Sequence, residues 1–334
     1  MLRSKTRSLF CLLLIGVTLL CSCGTPRLTQ RDYFAMDTVI TLSLPEDTDS
    51  AVFDGCEKMI VSYENMWSLT LPDSEISRFN SADKTAALSE STVDLLRRAY
   101  AVSAAANGAF SLTIAPVSTL WKPFLRGEVQ TPPTDEEIEQ ALTQVDDSLL
   151  SFQDQTVVKA APNVAVDLGA CAKGYACEQA VKTLAQQAPY GMVSFGGNIG
   201  VFGTKPDGSD WTIGIKDPAT PDQLCGSVTL QSGFVSVSGA YERYRAYDGI
   251  TYHHIIDPQT GYPADSGLAS VAVISEDGLV ADALSTALFV MGYEESMALY
   301  RAEQISFDAV FCTSDGKILI TPGLEGKFQK FNKK

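Results

Sequence analysis

The chain has 334 residues, of which 45% are hydrophobic and 19% charged, and its formal net charge at pH 7 is -15. This length and hydrophobic content support a sizeable core in one large or two ordinary domains and exclude wholesale disorder. The negative charge, with no basic patch beyond the N-terminus, argues against nucleic acid as a partner.

The first 22 residues have the pattern of a signal peptide. Basic residues at positions 3, 5 and 7 precede the apolar stretch 9–20, which is too short for a comfortable membrane span. A small residue and then Cys23 follow, which resembles a bacterial lipobox. We therefore expect residues 1–22 to be removed and Cys23 to carry palmitate or similar acyl chains, which would hold the exported protein on the extracytoplasmic face of a bacterial membrane. An ordinary cleaved signal and an uncleaved anchor are the alternatives.

Residues 23–34 are polar and are expected to tether a domain that spans 35–330. Five cysteines follow Cys23, without the spacing of a disulfide framework, a redox motif or a zinc site. We expect them to be buried free thiols.

The first half of the chain contains one strand pattern and several helix patterns. Period-2 alternation predicts a strand over 38–44, and apolar residues at helical spacing predict helices over 51–67, 91–107 and 134–145. The stretch 110–124 is apolar but carries two prolines, so we expect a buried irregular segment there.

The second half is richer in strands. Strands are expected at 149–152, 157–158, 164–168, 193–202, 211–215, 226–230, 234–238, 271–274, 310–312 and 318–320, with 226–230 and 234–238 forming a pair. Helices are expected at 173–187, 280–291 and 293–304, with Gly292 between the last two. Because the strands come in antiparallel-looking runs between helices, the sequence predicts an α+β fold with largely antiparallel sheets and packed helices.

Asp282, Ser285 and Thr286 are spaced to share one face of a predicted helix. Their neighbours are Ala and Leu, which bury readily, and buried polar groups need partners. A hard cation such as Mg²⁺ would satisfy them, since it takes oxygen ligands and few of them from protein. Helix capping by Asp282, with the two hydroxyls bonding back to the backbone, explains the pattern equally well.

Asp167 ends a predicted strand, and Lys173 lies in the first turn of the next helix after a turn of small residues. Small residues let a ligand approach the backbone, and a helix N-terminus with a lysine favours phosphate. The GxxxxGK spacing of a Walker A loop is absent. An ordinary strand-to-helix turn capped by Asp167 is the alternative.

The two histidines of the chain, His253 and His254, precede the turn sequence Asp-Pro-Gln-Thr-Gly at 257–261. This composition is typical of a rigid turn, and loops fixed by a scaffold often carry catalytic groups. An imidazole, with a pKa near neutrality, is a candidate general base. Taken alone, the pattern favours a tight turn with a surface histidine.

Together and in this order, these stretches resemble the FAD:protein FMN transferases, the ApbE-like flavin transferase family. The resemblance extends over residues 33–322 and rests on two specific signatures, HxxDPxTG from His254 and ADAxxTA from Ala281. Weaker matches lie around Met36, at 77–80, 110–121, 167–174, 196–198 and at Ser238-Gly239. Many members are lipoproteins, which agrees with the expectation for Cys23.

The resemblance implies a single two-lobed, T-fold-like domain that uses Mg²⁺ to transfer FMN from FAD to a Thr or Ser hydroxyl of another protein, releasing AMP. The acceptor would be an extracytoplasmic flavoprotein, such as a redox-pump or electron-transfer subunit. The residues carried over for the metal are Ala170, through its carbonyl, with Asp282, Ser285 and Thr286. Those carried over for FAD are Met36, Ala109, Phe110, Ser111, Asp167, Lys173 and Ile256. His254 would take the proton from the acceptor hydroxyl, whereas His253 would face the other side of its strand.

Three positions depart from the family pattern, of which one, Asp37 in place of a common glycine, is expected to be benign. Ser111 stands where the family usually has an aspartate, and Thr70 stands where it often has an aromatic residue, for which Trp67 is a candidate substitute. Ser111 and Thr70 would favour one alternative, a lipoprotein that binds FAD without chemistry. A second alternative is an FAD pyrophosphatase that forms FMN and AMP without a protein acceptor, because hydrolysis and transfer need the same phosphate-binding groups.

Overall fold

The computed structural model describes residues 27–331, so the predicted signal peptide and Cys23 lie outside the described residues. An eight-stranded antiparallel sheet forms the centre of the fold. Its strands, in spatial order, are β1 (Leu28–Ala35), β2 (Thr38–Pro45), β5 (Tyr190–Phe195), β6 (Asn198–Gly203), β9 (Gly233–Gly239), β12 (Leu268–Ser275), β13 (Asp308–Thr313) and β14 (Ile318–Ile320).

Three smaller antiparallel sheets complete the strand structure of residues 27–331. One has three strands, in the order β15 (Phe328–Lys330), β8 (Thr220–Leu230) and β7 (Trp211–Asp217). The other two are hairpins, β3 (Leu150–Gln153) with β4 (Thr156–Lys159), and β10 (Tyr244–Tyr247) with β11 (Ile250–His253). Together with the helices, these antiparallel sheets confirm the predicted α+β class.

Seven α-helices are described in residues 27–331. They are α1 (Ser50–Trp67), α2 (Glu75–Ser81), α3 (Glu90–Ala105), α4 (Ala115–Leu125), α5 (Asp135–Leu142), α6 (Ala172–Leu184) and α7 (Gly278–Ala302). Helix α7 is interrupted at Gly292, whose φ of 75° confirms the predicted break. None of the helices in this part of the chain combines the length and apolar composition needed to cross a membrane.

The core has three parts. The largest lies where the helices pack on the large sheet, and a second lies where the three-stranded sheet packs on it. A third surrounds α4 and α5 and includes Ile256. The five cysteines after Cys23 are buried thiols, as predicted, and none of them forms a disulfide within residues 27–331.

The predicted tether is wrong for residues 28–34, which belong to β1. This edge strand pairs with β2 over its whole length, from Leu28 opposite Pro45 to Ala35 opposite Thr38. The sequence lacks a clear alternation of apolar and polar residues here, because even the less exposed alternate residues, such as Arg31 and Tyr33, are only half-buried and can be polar.

The predicted irregular segment at 110–124 is also wrong. A 3-10 turn over Leu112–Ile114 leads directly into helix α4. Pro116 lies in the first turn, where backbone N–H groups have no acceptor within the helix, so the missing N–H of proline costs no hydrogen bond. Pro123 lies near the C-terminal end, so neither proline prevents the helix.

Three strand predictions need correction. The predicted strand 193–202 is two strands, because the chain reverses at Gly196, whose φ is 64°. The strands predicted at 226–230 and 234–238 lie in different sheets, as β8 and β9. Residues 164–168 form no strand.

Candidate active site

Helices α6 and α7 cross in close contact at Gly174 and Gly278. A Cβ atom at Gly174 would lie 2.2 Å from the Gly278 carbonyl oxygen and 2.4 Å from Asp282 Cβ. This close approach lets the Gly174 N–H donate a 2.8 Å hydrogen bond to Asp282 Oδ2. The buried Asp282 carboxylate is thereby fixed at the N-terminus of α6, where the helix dipole favours negative charge.

An ion network holds the first turn of α7 beside α6. Glu178 of α6 accepts hydrogen bonds from Arg98 Nη2 at 2.7 Å and from the Gly278 N–H at 3.1 Å. Burial acts to raise the pKa of Glu178, but hydrogen bonds and charge from its cationic partners, Arg98 first, lower it overall. Arg98 also donates to Asp277, which caps α7, so the alternative in which Asp282 is the cap is wrong.

Four hydroxyl groups lie around Asp282. Ser236 and Ser238 are two residues apart on β9 and face the same side of the sheet, toward α7. Ser238 Oγ lies 2.8 Å from Ser285 Oγ and 3.2 Å from Thr286 Oγ1. Ser236 Oγ lies 3.3 Å from Asp282 Oδ1, and Ser285 donates back to the Asp282 carbonyl oxygen at 2.8 Å. The predicted polar trio therefore lies in one cluster.

This cluster offers the oxygen ligands that a hard cation takes. Among the residues that the structure describes, Asp282 Oδ1 has one hydrogen-bond partner, Ser236 Oγ at 3.3 Å. Because the Gly174 N–H bonds to Asp282, the carbonyl of Ala170 four residues earlier lacks that helical partner. One carboxylate, the half-buried Thr286 hydroxyl and this carbonyl suit Mg²⁺, which completes its shell with water or phosphate oxygens. No group of three or more His, Cys, Asp or Glu side chains within residues 27–331 could hold a metal.

Asp167 is a second buried carboxylate, already paired with a cation. Its Oδ2 accepts from Lys122 Nζ at 2.9 Å and Ser118 Oγ at 2.6 Å, both on α4, and its Oδ1 accepts from the Gly169 N–H at 2.9 Å. Burial acts to raise the pKa of Asp167, but the Lys122 charge and these hydrogen bonds outweigh it and lower the pKa. The ionised carboxylate therefore fixes the turn that leads to Lys173.

Lys173 and Asp282 lie close enough to Glu242 for their charges to act on it, and we call the space between these side chains the cleft. Lys173 Nζ donates to the Gly169 carbonyl oxygen at 3.1 Å. Burial among neighbouring groups raises the pKa of Glu242, and the charge of Lys173 is the strongest influence that opposes the shift. Glu242 Oε1 would lie 3.5 Å from a Cβ at Gly197, which places it beside the turn between β5 and β6.

His254 lies on the wall of this cleft, directly after β11. Its backbone N–H donates to the Arg243 carbonyl oxygen at 3.1 Å, and its ring Nδ1 lies 3.3 Å from the same oxygen. Since a carbonyl only accepts, Nδ1 carries the proton and Nε2 keeps a free lone pair. Burial and then the charge of the Arg243 side chain lower the pKa of His254 to about 4. The imidazole is therefore neutral near pH 7 and can accept a proton at Nε2.

His253 faces away from the cleft, as predicted. Its Nε2 donates to the Ala264 carbonyl oxygen at 3.0 Å, and its Nδ1 accepts from the Ile255 N–H at 3.3 Å. Its ring meets Phe289 edge-on, with centroids 5.5 Å apart. Burial lowers its pKa. With both ring nitrogens satisfied, this histidine supports the fold.

The turn after the histidines has the predicted rigid geometry. The Gly261 N–H donates to the Asp257 carbonyl oxygen at 2.8 Å, and Gly261 has a φ of 76°. Trp121 Nε1 donates to the Gly261 carbonyl oxygen at 2.8 Å. Ile256 lies in the third core cluster with Trp121. It therefore forms the apolar floor under the turn.

Met36 forms the tip of the β1–β2 hairpin together with Asp37, and both have positive φ, 53° and 59°. The Met36 N–H donates to Glu64 Oε1 at 3.0 Å. The next residue, Thr38, would have its Oγ1 2.5 Å from a Cβ at Gly196. The hairpin tip therefore lies beside the β5–β6 turn, at the edge of the cleft.

Ala109, Phe110 and Ser111 are buried beside the carboxylate of Asp147. Asp147 accepts from Ser111 Oγ at 2.7 Å and from the Leu112 N–H at 3.0 Å. A cavity of about 570 Å³ opens here, with Ser111 and Asp147 in its lining. The chain thus places a carboxylate next to the serine that departs from the family pattern.

Trp67 does not replace the missing aromatic residue at Thr70. It is buried, it stacks on Tyr63 with ring centroids 4.4 Å apart, and its Nε1 donates to Thr92 Oγ1 at 2.9 Å. Thr70 is exposed. Trp67 is therefore a core residue.

Several residues of the site were not assigned a role from the sequence. Ser236 and Ser238 could have been found as polar residues two apart on one face of a predicted strand. Lys122 could have been found only with helix α4 in place, since it follows Ser118 by one turn. Glu242 and Arg243 lie in a short connection whose sequence gives no signal of its own.

Comparisons with known proteins point to the same family as the sequence motifs. The model of the ApbE family matches residues 36–311. A protein of Klebsiella pneumoniae named FAD:protein FMN transferase is 34% identical over 277 residues, which cover 82% of this chain and 85% of that protein. The ApbE protein of Thermotoga maritima has a structure that superimposes with a TM-score of 0.82 at 30% identity, covering 90% of this chain and 99% of that one. The flavin transferase ApbE of Vibrio cholerae gives a TM-score of 0.78 at 28% identity, with the same coverage.

Proposed function

The chain belongs to the ApbE family, and we propose that it is an FAD:protein FMN transferase that acts on a Thr or Ser hydroxyl of an extracytoplasmic protein, depends on Mg²⁺ and releases AMP. The observation that carries this proposal is the Asp282 carboxylate, which the Gly174 N–H fixes among four hydroxyls, in a cleft that also contains Lys173 and His254. The candidate metal ligands, the candidate phosphate-binding lysine and the candidate base would thus share one site.

Asp282, Thr286 and the Ala170 carbonyl would hold the Mg²⁺, with Ser285 and Ser238 orienting the hydroxyl. When bound, the ion neutralises the FAD diphosphate and the charge that develops during transfer. Lys173, at the N-terminus of α6, is positioned to bind phosphate oxygens, since amide groups and a lysine there favour anions.

His254 would remove the proton from the acceptor hydroxyl. The oxygen then forms a phosphoester bond to the FMN phosphorus, the bond from that phosphorus to the bridging oxygen breaks, and AMP leaves with that oxygen. In the free protein a pKa of about 4 makes His254 a weak base. Binding of the anionic diphosphate beside it raises this pKa, because nearby negative charge stabilises the imidazolium.

The remaining predicted FAD contacts are proposed on position alone. Met36 lies at the edge of the cleft, while Asp167 and Ile256 support its walls. Ala109 and Phe110 back the cavity beside Ser111. The nearby carboxylate of Asp147 supports the view that Ser111 leaves FAD binding intact.

Membrane attachment through acyl chains on Cys23 is part of the proposal, on the sequence pattern alone. Cells expressing the full chain and fed radiolabelled palmitate should label the protein, and Cys23→Ala should abolish the label. A labelled Cys23→Ala protein would exclude this site of attachment.

The central test is mass spectrometry of a threonine-containing acceptor domain after incubation with the full chain, FAD and Mg²⁺. We expect a gain of one FMN phosphoester, release of one AMP, and loss of both with EDTA or with Asp282→Ala in a folded protein. AMP release without a mass gain would identify hydrolysis by water, and intact FAD would identify a binding protein. Labelling that survives Asp282→Ala would remove the metal role of this residue.

A further inference from the structure

The β10–β11 hairpin carries an unusual share of the exposed apolar surface. Tyr244 is 58% exposed, Ile250 56% and Tyr247 38%. These three large hydrophobic side chains lie within a hairpin whose strands have four residues each. Apolar residues clustered in this way on an exposed element mark interaction surfaces.

The hairpin is also open for strand pairing. Within the described residues, β10 and β11 pair with each other and with no other strand. Its tip is a two-residue turn of Asp248 and Gly249, with φ of 49° and 78°, which suits a tight hairpin. Both edges therefore present main-chain groups to a partner, and natural proteins rarely leave such edges without a cover or a use.

The β10–β11 hairpin is held rigidly against helix α4. Arg245 Nη1 donates to the Phe124 carbonyl oxygen at 2.7 Å, and the guanidinium lies 4.7 Å from the centre of the Phe124 ring. Tyr252 and Tyr247 meet the same ring edge-on, at 5.6 and 6.0 Å. A surface fixed in this way loses little conformational freedom when a partner binds.

The β10–β11 hairpin lies next to the candidate base, His254. β11 ends at His253 and continues into His254, whose backbone N–H closes the base of the hairpin on the Arg243 carbonyl oxygen. The base of the hairpin is therefore the strand structure that adjoins His254 in the chain, within reach of a protein whose hydroxyl meets this imidazole. The exposed side chains lie on both of its faces, since Tyr244 alternates with Tyr247 along β10. A strand added at an edge contacts both faces, whereas a partner on one face would cover only one.

We propose that the acceptor protein docks by adding an extended segment with apolar side chains to a free edge of the β10–β11 hairpin, which aligns its hydroxyl with His254. This inference rests on the proposed transferase function. Main-chain hydrogen bonds would supply affinity, and pockets for alternate side chains would supply selectivity.

Two kinds of variant test the surface and the edge. The double substitution Tyr244→Ser and Ile250→Ser removes two exposed apolar contacts, and Val61→Ser is the matched control, since Val61 is 38% exposed on α1. Opposite residues of an antiparallel hairpin alternate between hydrogen-bonded and non-hydrogen-bonded pairs, and His254 is hydrogen-bonded to Arg243. Thr251, three residues before His254, therefore belongs to a non-hydrogen-bonded pair, and its N–H points away from β10. The substitution Thr251→Pro removes this N–H.

The measurement is kcat/KM for a flavin-free acceptor domain that the unmodified protein labels, with AMP release to water and the Kd for FAD as internal references. We expect the double variant to lose about tenfold or more in kcat/KM for the acceptor, through KM, since each buried apolar side chain contributes about that factor. If the acceptor pairs with β11, Thr251→Pro should lower kcat/KM for the acceptor in the same way. If it pairs with β10, Ala246→Pro should lower it instead. FAD affinity, AMP release and the Val61→Ser protein should stay within about twofold.

Unchanged acceptor kinetics in all three hairpin variants, with transfer intact, would overturn the docking inference alone. A change from dimer to monomer in the double variant, with acceptor KM unaffected, would assign the hairpin to self-association and overturn it as well. If the unmodified protein labels no acceptor while FAD stays bound, the proposed function fails and the docking inference fails with it.

Discussion

The substitution Gly174→Ala tests whether the close crossing of α6 and α7 positions Asp282. The new Cβ would lie 2.2 Å from the Gly278 carbonyl oxygen and 2.4 Å from Asp282 Cβ, whereas ordinary contact begins near 3.4 Å. The obstacle is a backbone atom of the neighbouring helix, which no rotamer change can remove. The helices must therefore separate by about 1 Å.

The size of the effect follows from this displacement. Overpacking of this kind costs about 3 kcal/mol at the upper end, and alanine recovers about 1 kcal/mol through its better helix propensity. We expect a net loss of about 2 kcal/mol in the free energy of unfolding. The hydrogen bond from Gly174 N–H to Asp282 Oδ2, now 2.8 Å, would lengthen, and a misplacement of about 1 Å at a reacting centre costs roughly 100-fold in rate.

Gly55→Ala provides the matched control. Gly55 lies in helix α1, and a Cβ there would meet no heavy atom within 4 Å. We expect this variant to gain about 0.5–1 kcal/mol of stability and to keep full activity. Urea unfolding gives both stability changes, and single-turnover AMP release at saturating FAD and Mg²⁺ gives both rates. A Gly174→Ala protein that is as stable and as active as the unmodified chain would refute the argument that this crossing fixes Asp282.

Three further predictions concern the surroundings of the site. Arg98→Leu removes one of the two cations paired with the buried Glu178 and leaves Lys182, so we expect a loss of about 2 kcal/mol at pH 7 in urea unfolding, and an unchanged midpoint would contradict the network's role. Arg243→Gln keeps the carbonyl that holds the His254 ring but removes a charge that disfavours the imidazolium. Burial, the larger cause of the low pKa, remains, so the pKa of His254 should rise only in part from about 4. The acid limb of the pH profile of kcat/KM should then move to higher pH, and a limb that stays in place or moves down would contradict the assignment of the base. Ser238→Ala removes the partner of both α7 hydroxyls, at 2.8 and 3.2 Å, and should weaken Mg²⁺ binding at least tenfold in titrations of activity, with circular dichroism unchanged.

The sequence predicted the parts of the fold that depend on local patterns. The period of apolar residues identified the strand at β2 and the helices α1 and α6, and the break at Gly292 followed from one residue. Helix α4 was missed because its two prolines indicate a broken helix, although one lies in the first turn and the other near the end. Edge strand β1 was missed because a strand with polar residues on its open side lacks a clear apolar alternation.

The site was predictable where its residues share one element and not where they meet across elements. Asp282 and Thr286 are one turn apart, so the sequence alone places them together. The Lys122 partner of Asp167 comes from another part of the chain, 45 residues away, and the Gly174 N–H that holds Asp282 is 108 residues away. Such pairs depend on how helices cross, which single-sequence patterns do not record.

The distribution of charge in the site is compatible with the proposed binding of an anionic diphosphate, although the net charge of the protein is -15. The two buried carboxylates are each compensated locally, Asp167 by Lys122 and Asp282 by the N-terminus of α6. Among the described residues, Lys173 and Arg243 form no ion pair, although both lie beside the cleft. Burial first, and then the charges of Arg243 and Lys173, lower the pKa of His254, and the same two charges act on Glu242. In the proposed mechanism, a bound diphosphate would offset these charges and strengthen His254 as a base when the flavin donor is in place.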